Sequence, residues 1–135
     1  MFKKEYKEFD KTLNMNWTYD KLGEKYFKDR IIENNGFVEV AERNGKIIGY
    51  LCGGIVKGLS YRKKARYAEL ENIMIEEKFR GQWIGTKLSK DFINWCINKK
   101  IDYINVSASA ENNHSVNFYK RLGFKNRDLI LMISL

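Results

Sequence analysis

Between Tyr67 and Ala108 the chain passes through an apolar β-prone run, a glycine-containing turn, an amphipathic helical pattern and a second β-prone run. Parallel strands need a long connection, which a helix supplies, so this order predicts a strand-helix-strand crossover. On the helix, Ile84, Leu88, Phe92, Trp95 and Cys96 share one face, with Lys87, Lys90, Asn94 and Lys99 opposite; the helix therefore lays one face on a sheet. The turn, Arg80-Gly81-Gln82-Trp83-Ile84-Gly85-Thr86, places unpaired N–H groups and the positive end of a helix dipole where a phosphate group can be held. Trp83 is the anomaly of the stretch, because a small residue is expected where phosphate oxygens approach a backbone.

The strand before the turn changes phase. Ala68 and Leu70 alternate on one face, Ile73 and Ile75 continue one residue out of step, and a β-bulge near Glu71-Asn72 accounts for the slip. Upstream, Phe37–Ala41 and Lys46–Cys52 flank Arg43-Asn44-Gly45, and Asn-Gly is a strong hairpin signal. Gly53-Gly54 suggests a bend or bulge before Ile55-Val56. Phe27, Arg30, Ile31 and Asn34 follow helical spacing, with Thr18 or Asp20 as cap and Asn34-Asn35-Gly36 as a left-handed stop. A short helix is expected near Tyr6 to Leu13. Ser115 to Leu122 reads as a helix closed by Gly123, and Leu129–Ile133 as a terminal strand.

At 135 residues, 44% of them hydrophobic and 31% charged, the chain has the size and mix of one globular domain, residues 1–135. No apolar run is long enough to cross a bilayer, and the start lacks an apolar signal core, so the expected location is cytoplasmic. Cys52 and Cys96 sit in apolar patterns and read as buried thiols. His114 is the only histidine, which excludes a multi-histidine zinc site; no metal is expected. The net charge of +8 favours anionic ligands, yet it is spread rather than striped, and its one dense cluster, Arg62-Lys63-Lys64 with Arg66, reads as a solvated loop.

Two motifs carry a family resemblance. Arg80 to Thr86 resembles the acyl-CoA pyrophosphate loop, Arg/Gln-x-x-Gly-x-Gly/Ala, of the GNAT superfamily of N-acetyltransferases. Asn112-Asn113-His114-Ser115-Val116-Asn117-Phe118-Tyr119, followed by Leu122-Gly123-Phe124, resembles that family's Asn-x-x-Ala-x-x-Phe-Tyr-x-x-x-Gly-Phe. The resemblance implies an α/β single-domain fold, with a mixed, mostly antiparallel sheet flanked by helices. That sheet would splay between the strand ending at Ile75 and the one ending near Ala108. It implies acetyl-CoA as co-substrate, its pyrophosphate on the backbone from Arg80 and Gly81 through Gln82, Trp83, Ile84 and Gly85 to Thr86. Its pantetheine arm would pair with the main chain of Ile73, Met74 and Ile75 and meet Asn112 and the Ser115 turn. Tyr119 matches the tyrosine that faces the CoA sulfur and would act as general acid.

An alkyl amine with a pKa near ~10.4 must lose a proton before it attacks. Leu70-Glu71-Asn72-Ile73-Met74-Ile75 resembles the strand of polyamine and streptothricin acetyltransferases whose glutamate is the base, which makes Glu71 the expected base. Glu69 is the reserve, and Glu39 or Glu42 are candidates to line the acceptor cleft. His114 reads as a surface or cap residue. Trp83 departs from the family, which usually has Gly there.

The expected activity is direct acetyl transfer to a primary amine, on a small molecule or a peptide. Two rivals remain beside it: a degenerate acyl-CoA-binding or regulatory module, and a small basic nucleic-acid-binding domain using Arg62 to Arg66. Monomer and homodimer are both compatible with the sequence.

Overall fold

In the computed structural model, which describes residues 2–135, a four-stranded sheet carries helices in the order α1 (Phe2–Glu8), α2 (Lys21–Ile32), β1 (Gly36–Arg43), β2 (Lys46–Val56), β3 (Tyr67–Ile75), α3 (Ile84–Asn98), β4 (Tyr103–Val106), α4 (Asn113–Arg121). Short 3-10 turns at Trp17–Tyr19 and Glu77–Phe79 precede α2 and the glycine turn. The strand order is β1-β2-β3-β4, antiparallel except for the parallel β3–β4 pair that α3 crosses over. The expected mixed sheet is therefore present, and it is open. No helix among the described residues is long and apolar enough to cross a membrane.

Local chemistry explains most boundaries. Asp20 caps α2, its carboxylate accepting from the N–H groups of Leu22 and Gly23 at 2.9 Å. Asn44 and Gly45 adopt φ of 51° and 74°, the pair of left-handed residues a tight hairpin requires. Gly123 closes α4 at φ 100°. The β3 bulge lies at Glu71: Cys52 pairs with Asn72 and Gly53 with Leu70, which leaves Glu71 as the extra residue.

The sheet packs on α3 through Leu51, Ala68, Leu70, Leu88, Phe92 and Cys96, with Ile73 and Ile75 against this core despite the phase change. Phe92 centres it, its ring 5.4 Å from Phe37 and 5.8 Å from Trp95.

Four expectations are corrected. The first helix ends at Glu8, earlier than the Tyr6–Leu13 reading. Helix α2 leaves through an extended Glu33 and not through a left-handed Asn or Gly; Gly36 serves close approach instead, since a Cβ there would lie 2.1 Å from the Arg30 carbonyl oxygen. Strand β2 runs unbroken through Gly53-Gly54, where a Cβ at Gly53 would meet Glu69 O at 2.5 Å and the Phe92 ring at 2.9 Å. The Leu129–Ile133 strand does not form. Phe124 to Leu135 carries no regular structure, and Leu129 to Ile133 are 73–91% exposed. The segment is tied by polar side chains, Arg127 to Asn105 and Arg62 to Asp128, and strand preference expresses a fit to a half-buried pleated surface that is absent there.

Candidate active site

After β3, the chain turns so that Arg80 Nε donates to the Ile75 carbonyl oxygen at 2.9 Å, which pins the turn to the strand end. Gly81 and Trp83 then both take left-handed conformations, φ 73° and 66°. The first α3 amide to reach a carbonyl of the turn is Lys87 N–H, donating to Trp83 O at 2.9 Å. The N–H groups of Ile84, Gly85 and Thr86 thus precede the helix ladder and form an anion-binding helix start. The left-handed backbone turns the Trp83 side chain outward, 79% exposed, at a cost of about 1–2 kcal/mol for a residue with a Cβ.

Strand β4 pairs with β3 only over Tyr67–Leu70 and ends at Val106, so Glu71 to Ile75 lie beyond the ladder. Tyr119 of α4 packs against the core on the α3 side, with rings of Phe118 and Phe124 at 5.3 and 5.9 Å. Burial, reinforced by the charge of Glu5, pushes its phenol up to about 12, so it stays protonated at neutral pH. Asn112 caps α4 through Oδ1, accepting from Ser115 N–H at 3.1 Å, while its Nδ2 donates to Glu5 Oε2 at 3.5 Å. Glu5 also accepts from Ser109 Oγ at 2.6 Å. Sequence reasoning missed Glu5, because only the tertiary fold brings α1 to the start of α4.

Across the sheet, Glu71 is held by Arg30 on both carboxylate oxygens, Nε to Oε2 at 2.9 Å and Nη2 to Oε1, and it accepts from the Tyr26 hydroxyl. The ion pair is 17% and 15% exposed at its two side chains. Asn72 Nδ2 and Cys52 Sγ both donate to Tyr26 Oη, at 3.2 and 3.7 Å. Trp17, Tyr26, Phe27 and Tyr50 pack in a row beside this network, centroids 5.0–6.1 Å apart, with Phe27 edge to face against both tyrosines and Trp17 tilted on Tyr26. Glu69 is raised above the ordinary carboxylate range by burial and then by the neighbouring Glu71 charge.

The remaining candidates lie elsewhere. Glu39 faces α3, where burial and then Asp91 raise its carboxyl, so it does not share the Glu69–Glu71 cleft. Glu42 and His114 are exposed, the latter in the first turn of α4. Both cysteines are buried and free, and burial pushes Cys96 up to about 12. No group of three or more His, Cys, Asp or Glu able to hold a metal occurs among the described residues.

A family model described as the acetyltransferase (GNAT) family matches residues 3–124. The chain is 28% identical over 130 residues to an uncharacterised N-acetyltransferase of Methanocaldococcus jannaschii, covering 96% of this chain and 56% of that protein. It is 30% identical over 107 residues to an N-alpha-acetyltransferase of Sulfurisphaera tokodaii, covering 74% of this chain and 63% of that one. The chain thus spans 54–63% of the length of the curated relatives it matches. Among solved structures, a Bacillus halodurans protein crystallised as a tetramutant superposes with TM-score 0.85 at 19% identity, over 99% of this chain and 86% of that one. An aminoglycoside N-acetyltransferase in complex with CoA superposes with TM-score 0.72 at 19% identity, over 93% of this chain and 94% of that one. At these identities the structural likeness is one of fold.

Proposed function

Because the chain belongs to the GNAT acetyltransferase family, we propose that residues 1–135 form an acetyltransferase domain that moves acetyl from acetyl-CoA directly to a primary amine. The observation that carries the reading is the coincidence of three features. These are the free start of α3, the end of the β3–β4 ladder at Leu70, and the protonated Tyr119 phenol. Acetyl-CoA supplies the activated acyl group. The amides of Gly81 to Thr86 would hold its pyrophosphate, and the strand from Ile73 to Ile75 would run beside its arm, with Met74 N–H as the proposed oxyanion donor. Asn112 and Ser115 would flank the arm from α4. A solved aminoglycoside acetyltransferase carries a bisubstrate analogue on the same fold, which supports a small-molecule amine as acceptor. The proposed setting is the cytoplasm, where free thiols such as Cys52 and Cys96 persist.

Glu71 is the proposed base, with Tyr119 as the acid that stabilises the departing thiolate. For Glu71 to accept a proton, the Arg30 guanidinium must loosen, because both carboxylate oxygens are engaged. The raised carboxyl of Glu69 favours a second reading. Glu71 then serves as a fixed negative charge for the cationic amine, and Glu69 takes the proton.

Calorimetry with acetyl-CoA, followed by an amine panel with detection of released CoA thiol, tests the proposal. Heat of binding and thiol release with at least one amine are expected. Binding without release under every amine points to a degenerate acyl-CoA module, and no binding at millimolar acetyl-CoA removes the acyl-CoA reading. Glu71→Gln and Glu69→Gln, assayed side by side with the best amine, separate the two bases.

A further inference from the structure

Leu129-Ile130-Leu131-Met132-Ile133-Ser134-Leu135 holds six large apolar side chains, each at least 73% exposed. A contiguous apolar surface of this kind marks a place that another surface covers. The run has no charge, proline or glycine and is rich in aliphatic residues, the composition of a segment that pairs with a strand edge. Both of its faces are apolar. In an extended chain Leu129, Leu131, Ile133 and Leu135 fall on one side, and Ile130 and Met132 on the other. A strand on the outside of a sheet turns one face to water and is often charged, whereas apolar residues on both faces belong to a strand covered on both.

The sheet has two edges, and they differ. Strand β1 carries Glu39, Glu42 and Arg43, charges that blunt an edge. Strand β4, Tyr103-Ile104-Asn105-Val106, carries none and borders only β3. Tyr103 N–H donates to Arg66 O at 3.2 Å, on the β3 side, so the alternation of the strand turns the N–H and C=O groups of Ile104 and Val106 to the open side. An added strand would find its backbone partners there.

The polar ties ahead of the run decide whose edge it meets. Arg127 Nη1 donates to Asn105 Oδ1 at 3.1 Å, and Asp128 Oδ2 accepts from Arg62 Nη2 at 3.1 Å, in the loop between β2 and β3. The chain is thus fastened at the end of the sheet where β3 and β4 begin, and the apolar run opens there, unpaired with its own β4. Extended, its seven residues reach about 23 Å, enough to lie along the edge of a neighbouring copy.

We propose that residues 129–135 dock as an added strand on the free edge of β4 in a second copy of this chain, the two copies exchanging segments about a two-fold axis. Such an exchange closes on itself and leaves neither β4 edge open. Each segment then lies at the seam between two sheets, the setting that a strand apolar on both faces requires.

Sedimentation velocity of the full chain over a dilution series, with amide hydrogen exchange on the same samples, tests the proposal. Expected is a species of twice the chain mass. In it the amides of Ile104, Val106 and residues 129–135 should exchange at least roughly tenfold more slowly than after dilution to monomer. Leu131→Pro removes a donor and fixes φ in the middle of the segment, outside the packed core, and should give a folded monomer with those amides open. Leu131→Val keeps an apolar, strand-compatible side chain and should remain dimeric. A monomer at every concentration overturns the proposal: protected Ile104 and Val106 amides would then mean that the segment pairs with its own β4, and open ones that it pairs with nothing. A dimer in which those two amides stay open, or which survives Leu131→Pro, overturns it as well, since the copies would then meet elsewhere. Masses that climb beyond two copies overturn the closed exchange.

Discussion

Arg30 and Glu71 show how one residue pair alters a chemical reading. A carboxylate engaged on both oxygens by a guanidinium is fixed in position, and the bulge that takes Glu71 out of the β2 ladder also delivers it to α2. Arg30→Ala would leave that carboxylate partly buried without its cation, and should lower stability on the order of 3 kcal/mol, read by urea denaturation. Glu69 sets a pH dependence. A raised carboxyl holds its proton more tightly in the folded than in the unfolded chain, so its contribution to stability is present below the unfolded pKa and lost as pH rises through the folded one. If Glu69 is the base, the acid limb of the kcat profile should be displaced above the ordinary carboxylate range, and Glu69→Gln should remove it. Tyr119, pushed up to about 12, remains a proton donor throughout that range. Tyr119→Phe is expected to lower kcat roughly 10²-fold with little change in the KM for acetyl-CoA. At Trp83 the backbone cost is separable from binding: Trp83→Gly should raise the thermal midpoint, corresponding to about 1 kcal/mol, because glycine takes φ 66° without a Cβ clash.

At the scale of elements, α3 does two jobs with different faces. Its buried stripe fixes it to the sheet, and its first turn is thereby held beside the end of β3, where a Cβ on Gly85 would lie 3.7 Å from Ile75 Cγ1. Phe92→Ala removes the ring between Phe37 and Trp95 and should cost about 3–5 kcal/mol in denaturant unfolding. The bulge was legible because a phase slip in Ala68, Leu70, Ile73 and Ile75 admits few explanations in a strand. The capping of α2 by Asp20 and of α4 by Gly123 was legible for a similar reason, since each rests on local geometry. The glycines at 36, 53 and 54 were misread, because their need arises from how elements pack: Gly36 against the Arg30 carbonyl of the preceding helix, and Gly53 and Gly54 against the distant Phe92 ring and Asn35 carbonyl.

For the molecule as a whole, the net charge of +8 sets a field that draws an anionic ligand from solution. The association rate of acetyl-CoA, followed by stopped-flow fluorescence, should fall as salt is raised through the range where the screening length shrinks from about 10 Å to 3 Å. The sequence by itself determined the crossover, the hairpin, the bulge and the family motifs, because each is written in neighbouring residues or in a repeat along one element. Only the tertiary structure decided what those elements do to one another. It turned Glu39 toward α3, locked Glu71 under Arg30, and brought Glu5 to Asn112. It left Leu129 to Ile133 without a sheet to join. It also turned Trp83 outward, so that the residue most at odds with a phosphate loop stands at the mouth of a groove between two helices. Such outcomes depend on which surfaces meet, and a contact between residues far apart in the chain leaves no local trace in the sequence of either.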